Sequence, residues 1–149
     1  MSDYPEGFDC VWIALDGQGR VGAFVTAGEG PVPEVVLGSD VDITDIEGLL
    51  LDMAETGEAH LLASDGDPSS FLALARRGLY VYDWNDVHSV PRPLTDRYQC
   101  IARPTVALMA DTLPEALRAV AVALPASDFA REEAIAPHHQ LPCRRPAKG

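Results

Sequence analysis

Residues 10–26 read CVWIALDGQGRVGAFVT. Two short runs rich in β-branched and aromatic residues flank Asp16, Gly17, Gln18 and Gly19, the composition of a hairpin connection. The chain is therefore expected to open as a β-hairpin. At 149 residues it fits one domain, and a domain of this size can bury roughly 70% of its unfolded surface. An apolar fraction of 47% suits a packed core rather than a disordered chain.

Downstream, AGEGPVP reads as a loop and EVVL (34–37) as a third strand. Thr44 and Glu47 match a capping box, and Ile46, Leu49, Leu50 and Met53 recur at helical spacing until Gly57. Residues 59–63 read as a strand. Asp67 is placed to cap a second helix, with Pro68 opening it and Gly78 closing it. LYVYDW (79–84) reads as a strand, and residues 98–102 and 105–109 as two more around Pro104. Thr112 and Glu115 form a second capping box, opening a helix with Leu117, Val120, Ala121 and Leu124 inward. After Pro125 the pattern fades, so residues 126–149 are expected to be a mobile tail. The expected fold is α+β: one compact domain over residues 1–125, a mainly antiparallel sheet starting with the hairpin, and about three helices.

Charge is distributed unevenly. Residues 1–67 hold fifteen acids and one base, Arg20, whereas residues 68–149 hold eight acids and ten bases. Ten of the acids fall between Glu34 and Asp67, where there is no lysine or arginine. A merely solvated face would intersperse bases, which also form helix pairs worth a few tenths of a kcal/mol, ~0.3 kcal/mol each. Such an acidic surface disfavours nucleic acid and anionic membranes, whose phosphates call for lysine and arginine. Its natural complement is a basic protein. Apolar runs are too short to span a bilayer. The N-terminus MSDYPEGFDC lacks the basic and apolar regions of a signal peptide, so the expected compartment is the cytoplasm.

Motifs for chemistry are weak. Gly28 and Gly30 lack the lysine and hydroxyl end of a phosphate loop. Asp65 and Asp67 lack the glutamate of a calcium loop. His138 and His139 are adjacent and have no third ligand nearby. Ser64, Ser69, Ser70 and Ser89 lie outside any nucleophile elbow. Cys10, Cys100 and Cys143 are odd in number and widely spaced, which suits reduced thiols rather than a disulfide framework or a zinc site. No cofactor or metal is called for. One polar group could serve acid/base chemistry: Asp83, Asp86 and His88, at the exit of a strand.

The segments DGQGRVGAFVTAGEGPVP (16–33) and RRGLYVYDWNDVHSV (76–90) carry a resemblance. Over residues 4–124 the chain resembles small bacterial cytoplasmic proteins similar in character to the immunity proteins of polymorphic or contact-delivered toxins. The resemblance implies a binding role: a stoichiometric inhibitor covering a cognate toxin or effector domain. The acidic composition agrees, because an acidic surface can mimic phosphate in a basic cleft. The expected contact set is Asp40, Asp42, Asp45, Glu47, Asp52, Glu55 and Glu58. The competing expectation is a small hydrolase-like enzyme using Asp83, Asp86 and His88.

Overall fold

In the computed structural model, which describes residues 4–62, 66–84 and 96–146, the hairpin forms where the sequence places it. Strand β1 (Val11–Leu15) pairs antiparallel with β2 (Val21–Val25), with Trp12 opposite Phe24 and Leu15 opposite Val21. Asp16 organises the turn, accepting from the N–H groups of Gln18 and Arg20, both at 2.9 Å. The chain continues through β3 (Val32–Pro33), α1 (Glu34–Leu37), α2 (Ile43–Leu51), β4 (Ala59–Leu61), α3 (Ser69–Arg76), β5 (Tyr80–Trp84) and β6 (Tyr98–Pro104). It ends with α4 (Glu115–Val120), β7 (Val122–Ala123), β8 (Ala134–Ile135) and β9 (Cys143–Arg144).

Among the described residues the main sheet has seven strands in the order β4-β6-β5-β2-β1-β7, with β8 also on β6. It is mostly antiparallel, with parallel pairs at β1–β7 and β2–β5. The fold is thus α+β in one domain, with a single-turn α1 beside the three longer helices. Alternation along the strands gathers Trp12, Phe24, Tyr82 and Tyr98 on one face. There Trp12 stacks on Phe24 at 4.4 Å, Phe24 stacks on Tyr82 at 5.0 Å, and Tyr98 meets Trp12 edge-on. The alternate residues Ile13, Ala23 and Val81 are equally buried, so both faces of the sheet are covered. Helix α2 packs on β1, and α3 packs on β4, β5 and β6.

Several sequence expectations need correction. EVVL is one helical turn instead of a strand; Pro33 stands at its N-cap, Val36 and Leu37 turn inward and Val35 is left exposed. Four residues, three of them apolar, are too few for periodicity to separate a strand from a buried turn. Residues 105–109 are not a strand. Leu108 donates its N–H to Gly78 O and accepts from Val21 N–H, so this stretch bonds to two elements without forming a ladder with either. Gly78 permits that approach: its φ is +100°, and a Cβ there would lie 2.7 Å from the Leu108 backbone nitrogen. The capping boxes also shift. Asp42 caps α2, Asp67 sits one residue before the Pro68 N-cap of α3, and Pro114 stands at the N-cap of α4.

The largest correction concerns residues 126–149. The expected boundary at 125 is not where packing ends, since Phe129 and Ile135 belong to the core. Phe129 fills the space over Gly22, where a Cβ would come within 2.8 Å of the ring. Its N–H donates to the buried Asp16 carboxylate at 2.9 Å, and the Tyr82 hydroxyl donates to Glu132 O at 2.7 Å. Strand β8 then pairs with β6, and β9 with β3. The segment has no helical or strand period because isolated side chains and two-residue bridges hold it.

Candidate acidic groove

The N-cap of helix α2 is Asp42, two residues before Thr44. Asp42 accepts from the Thr44 N–H at 3.0 Å and from its hydroxyl at 2.8 Å, which satisfies an otherwise orphaned donor at the helix start. These bonds hold the Asp42 carboxyl below the usual carboxylate range. Ile43, Ile46 and Leu50 turn into the core. Asp45, Gly48, Leu49 and Asp52, three or four residues apart, then share an outer face. Together with Asp40, Val41 and Asp42 they line an open hollow of about 620 Å³. Four of the seven acids expected as a contact set are therefore brought together around Leu49, with no base among the described residues of the lining.

The other three lie elsewhere. Glu47 is half-buried, and burial, with Asp9 adding to it, raises its carboxyl above the usual range. Glu55 lies 3.6 Å from Arg77. Glu58 is exposed at the edge of β4, where its backbone bonds to Thr105. That Arg77 is itself occupied, donating to Met53 O at 2.8 Å and Ala73 O at 2.7 Å.

Of the alternative polar set, Asp83 sits on β5 opposite Val25 and Gln99. Its carboxyl is pushed up to about 7 by burial, with Asp9 adding repulsion. Asp86 and His88 lie outside the described residues. A polar group that the sequence reading missed gathers around Trp84 instead. Asp96 lies 3.2 Å from His138 Nε2 and 2.9 Å from an Arg145 nitrogen, and the Arg145 guanidinium stands 5.6 Å over the Trp84 ring. These contacts fasten the C-terminal segment to β5. They were not legible because the three residues are separated by more than forty positions from Asp96 to His138 and Arg145.

Among the described residues no group of three or more His, Cys, Asp or Glu is arranged to hold a metal ion. No helix among them is long and apolar enough to cross a membrane. Cys10 and Cys100 are buried, and burial pushes both thiols up, Cys10 to about 11, which keeps them protonated and unreactive near neutrality. What the α2 face offers is an open anionic recess with an apolar floor at Leu49. It can attract and hold cationic groups. No family model matches the chain, and neither a curated protein nor a solved structure was found to be similar to it.

Proposed function

We propose that this chain is a bacterial cytoplasmic immunity protein, an acidic binding protein that neutralises a cognate toxin or effector domain by covering its basic active-site surface. The observation that carries the reading is the convergence of Asp40, Asp42, Asp45 and Asp52 on one hollow without a base. Such a concentration opposes folding. Helix α2 has no basic residue in its last turn and carries Asp52 at its C-cap, against the helix dipole. That placement costs about 0.3–1 kcal/mol, which a lysine would recover. The chemistry of inhibition follows: the aspartates draw a basic cleft in by long-range attraction, then occupy the positions its phosphate substrate would take.

The test looks for a gene encoding a large secreted protein immediately upstream of this chain's gene and takes that protein's C-terminal domain as the partner. With Asp40, Asp42, Asp45 and Asp52 all changed to Asn, association measured by stopped flow should slow by about tenfold or more at low salt. Its dependence on ionic strength should flatten. Unchanged rates and an unchanged salt slope would reject the acidic groove as the contact surface. A second reading, a small hydrolase-like enzyme, draws on Asp83, because a carboxyl titrating at about 7 is suited to proton transfer near neutrality. Turnover that disappears in a stably folded Asp83→Asn protein would favour it.

A further inference from the structure

The acidic hollow does not stand alone. Along α2 it adjoins a second hollow of about 240 Å³ between α2 and α4, with Leu49 and Asp52 common to both. That one adjoins a third of about 530 Å³, with Met53 and Pro114 common to both. Along this course the walls change character. Acids dominate the first part; Leu49, Met53, Val106, Leu108 and Met109 dominate the rest. Val106 is 51% exposed and Met109 38% exposed, so the third hollow leaves apolar side chains facing water. An apolar recess continuous with a polar rim marks an interaction site more often than a solvated surface.

The charge along this groove says what fits. Among the described residues its lining carries five aspartates (Asp40, Asp42, Asp45, Asp52 and Asp111) and one base, Arg77. Arg77 is committed to Met53 O, Ala73 O and Glu55, so it is not available to an incoming anion. Nucleic acid and anionic lipid would meet like charge. A second copy of this chain, placed groove to groove by a two-fold axis, would bring further aspartates and only the engaged Arg77 to the same surface. The complement must be cationic and apolar together.

We infer that the groove receives an amphipathic segment of the basic partner, with lysine or arginine over Asp40, Asp42, Asp45 and Asp52 and apolar side chains seated beside Met53, Val106 and Met109. This rests on the proposed function and deepens it. The acids give speed of encounter and orientation; the apolar end gives residence, because desolvated apolar anchors dominate dissociation. Asp45 and Asp52 are seven residues apart, about 10 Å along a helix axis. The cationic groups of the segment therefore extend over about two helical turns, with its apolar groups following beside Met53, a helix-in-groove mode of binding.

The experiment titrates the full chain with a fluorescent basic amphipathic peptide, about 18 residues long so that it forms several helical turns. It has leucine and phenylalanine at helical spacing and arginines toward one end. One control keeps the arginines and replaces the apolar residues with serine; another keeps the apolar residues and replaces the arginines with glutamine. Both controls should bind at least about tenfold more weakly than the parent peptide. The Val106→Ser/Met109→Ser protein should bind the parent peptide no better than wild type binds the serine control. Both positions are solvent-facing, and an unchanged melting temperature verifies the fold. Equal binding of parent and serine control, lost on Asp45→Asn/Asp52→Asn, overturns this inference and leaves the acidic-surface reading standing. Binding unaffected by either pair of substitutions overturns both. Self-association abolished by Val106→Ser/Met109→Ser would assign the groove to a second copy and overturn the inference, as would failure of the parent peptide to bind.

Discussion

Asp83 gives the sheet a sensitivity to pH near neutrality. It sits on β5, where burial disfavours its charged form and Asp9 adds repulsion, so the carboxyl titrates at about 7. In the unfolded chain an aspartate titrates near about 4. The folded protein therefore holds this proton more tightly. The resulting contribution to stability is fully present below about pH 4, falls as pH rises through about 7 and is level above that. Glu47, also raised, contributes with the same sign; His138, lowered chiefly by its burial, contributes with the opposite sign. Comparison with Asp83→Asn separates these effects. The variant should melt higher than wild type at about pH 7.5, and the difference should shrink by about pH 4.5. A melting-temperature difference that is constant across this range would show that Asp83 titrates as it does in the unfolded chain.

At the scale of elements, legibility followed locality. The hairpin, the α2 and α3 segments and the aromatic strand β5 were readable because their periodicity and punctuation lie within a few residues. EVVL and residues 105–109 were not, because EVVL is too short to carry a period and Pro142, Gly78 and Val21 bond to these stretches from far along the chain. The candidate site divides in the same way. Charge bias made Asp40, Asp42, Asp45 and Asp52 visible, whereas the apolar continuation needs α4 and residues 106–109 folded against α2. Asp16 shows how a local motif can hide a distant role. It reads as a turn residue, yet its fully buried carboxylate also takes the Phe129 N–H and faces Arg20, which in turn reaches Asp128 at 3.1 Å. Asp16→Ala strands several donors at once, and its expected cost is about 3 kcal/mol. Urea unfolding should register that as a lowered midpoint with little change in slope. A loss below about 1 kcal/mol would mean that water replaces the carboxylate, as at an exposed turn.

For the whole molecule the question is where the fold ends. Phe129 touches Phe24, Tyr80 and Tyr82 on the aromatic face, and Ile135 joins the same core, so residues 127–136 form part of the wall that closes it. A chain ending at Ala126 would uncover those rings, lose β8 from the edge of β6 and leave the Asp16 carboxylate without its Phe129 partner. Removing one large buried aromatic alone costs about 3–5 kcal/mol, a large part of a typical domain's stability of about 5–15 kcal/mol. This truncation should therefore abolish cooperative melting at every salt concentration. A chain ending at Gln140 keeps Phe129 and Ile135. It loses the β9–β3 pairing, the 3.6 Å contact between Arg144 and Glu34 and the link from Arg145 to Asp96. These contacts are shorter in extent and partly exposed, worth about 2 kcal/mol together, or about 4–8 °C in melting temperature for a chain of this size. Because two of them are ion pairs, the drop should be smaller at high salt than at low salt. Cooperative melting of the shorter chain near the wild-type temperature would return the boundary to residue 125. Loss of cooperativity in the longer one would extend the core to Leu141 and the strand beyond it.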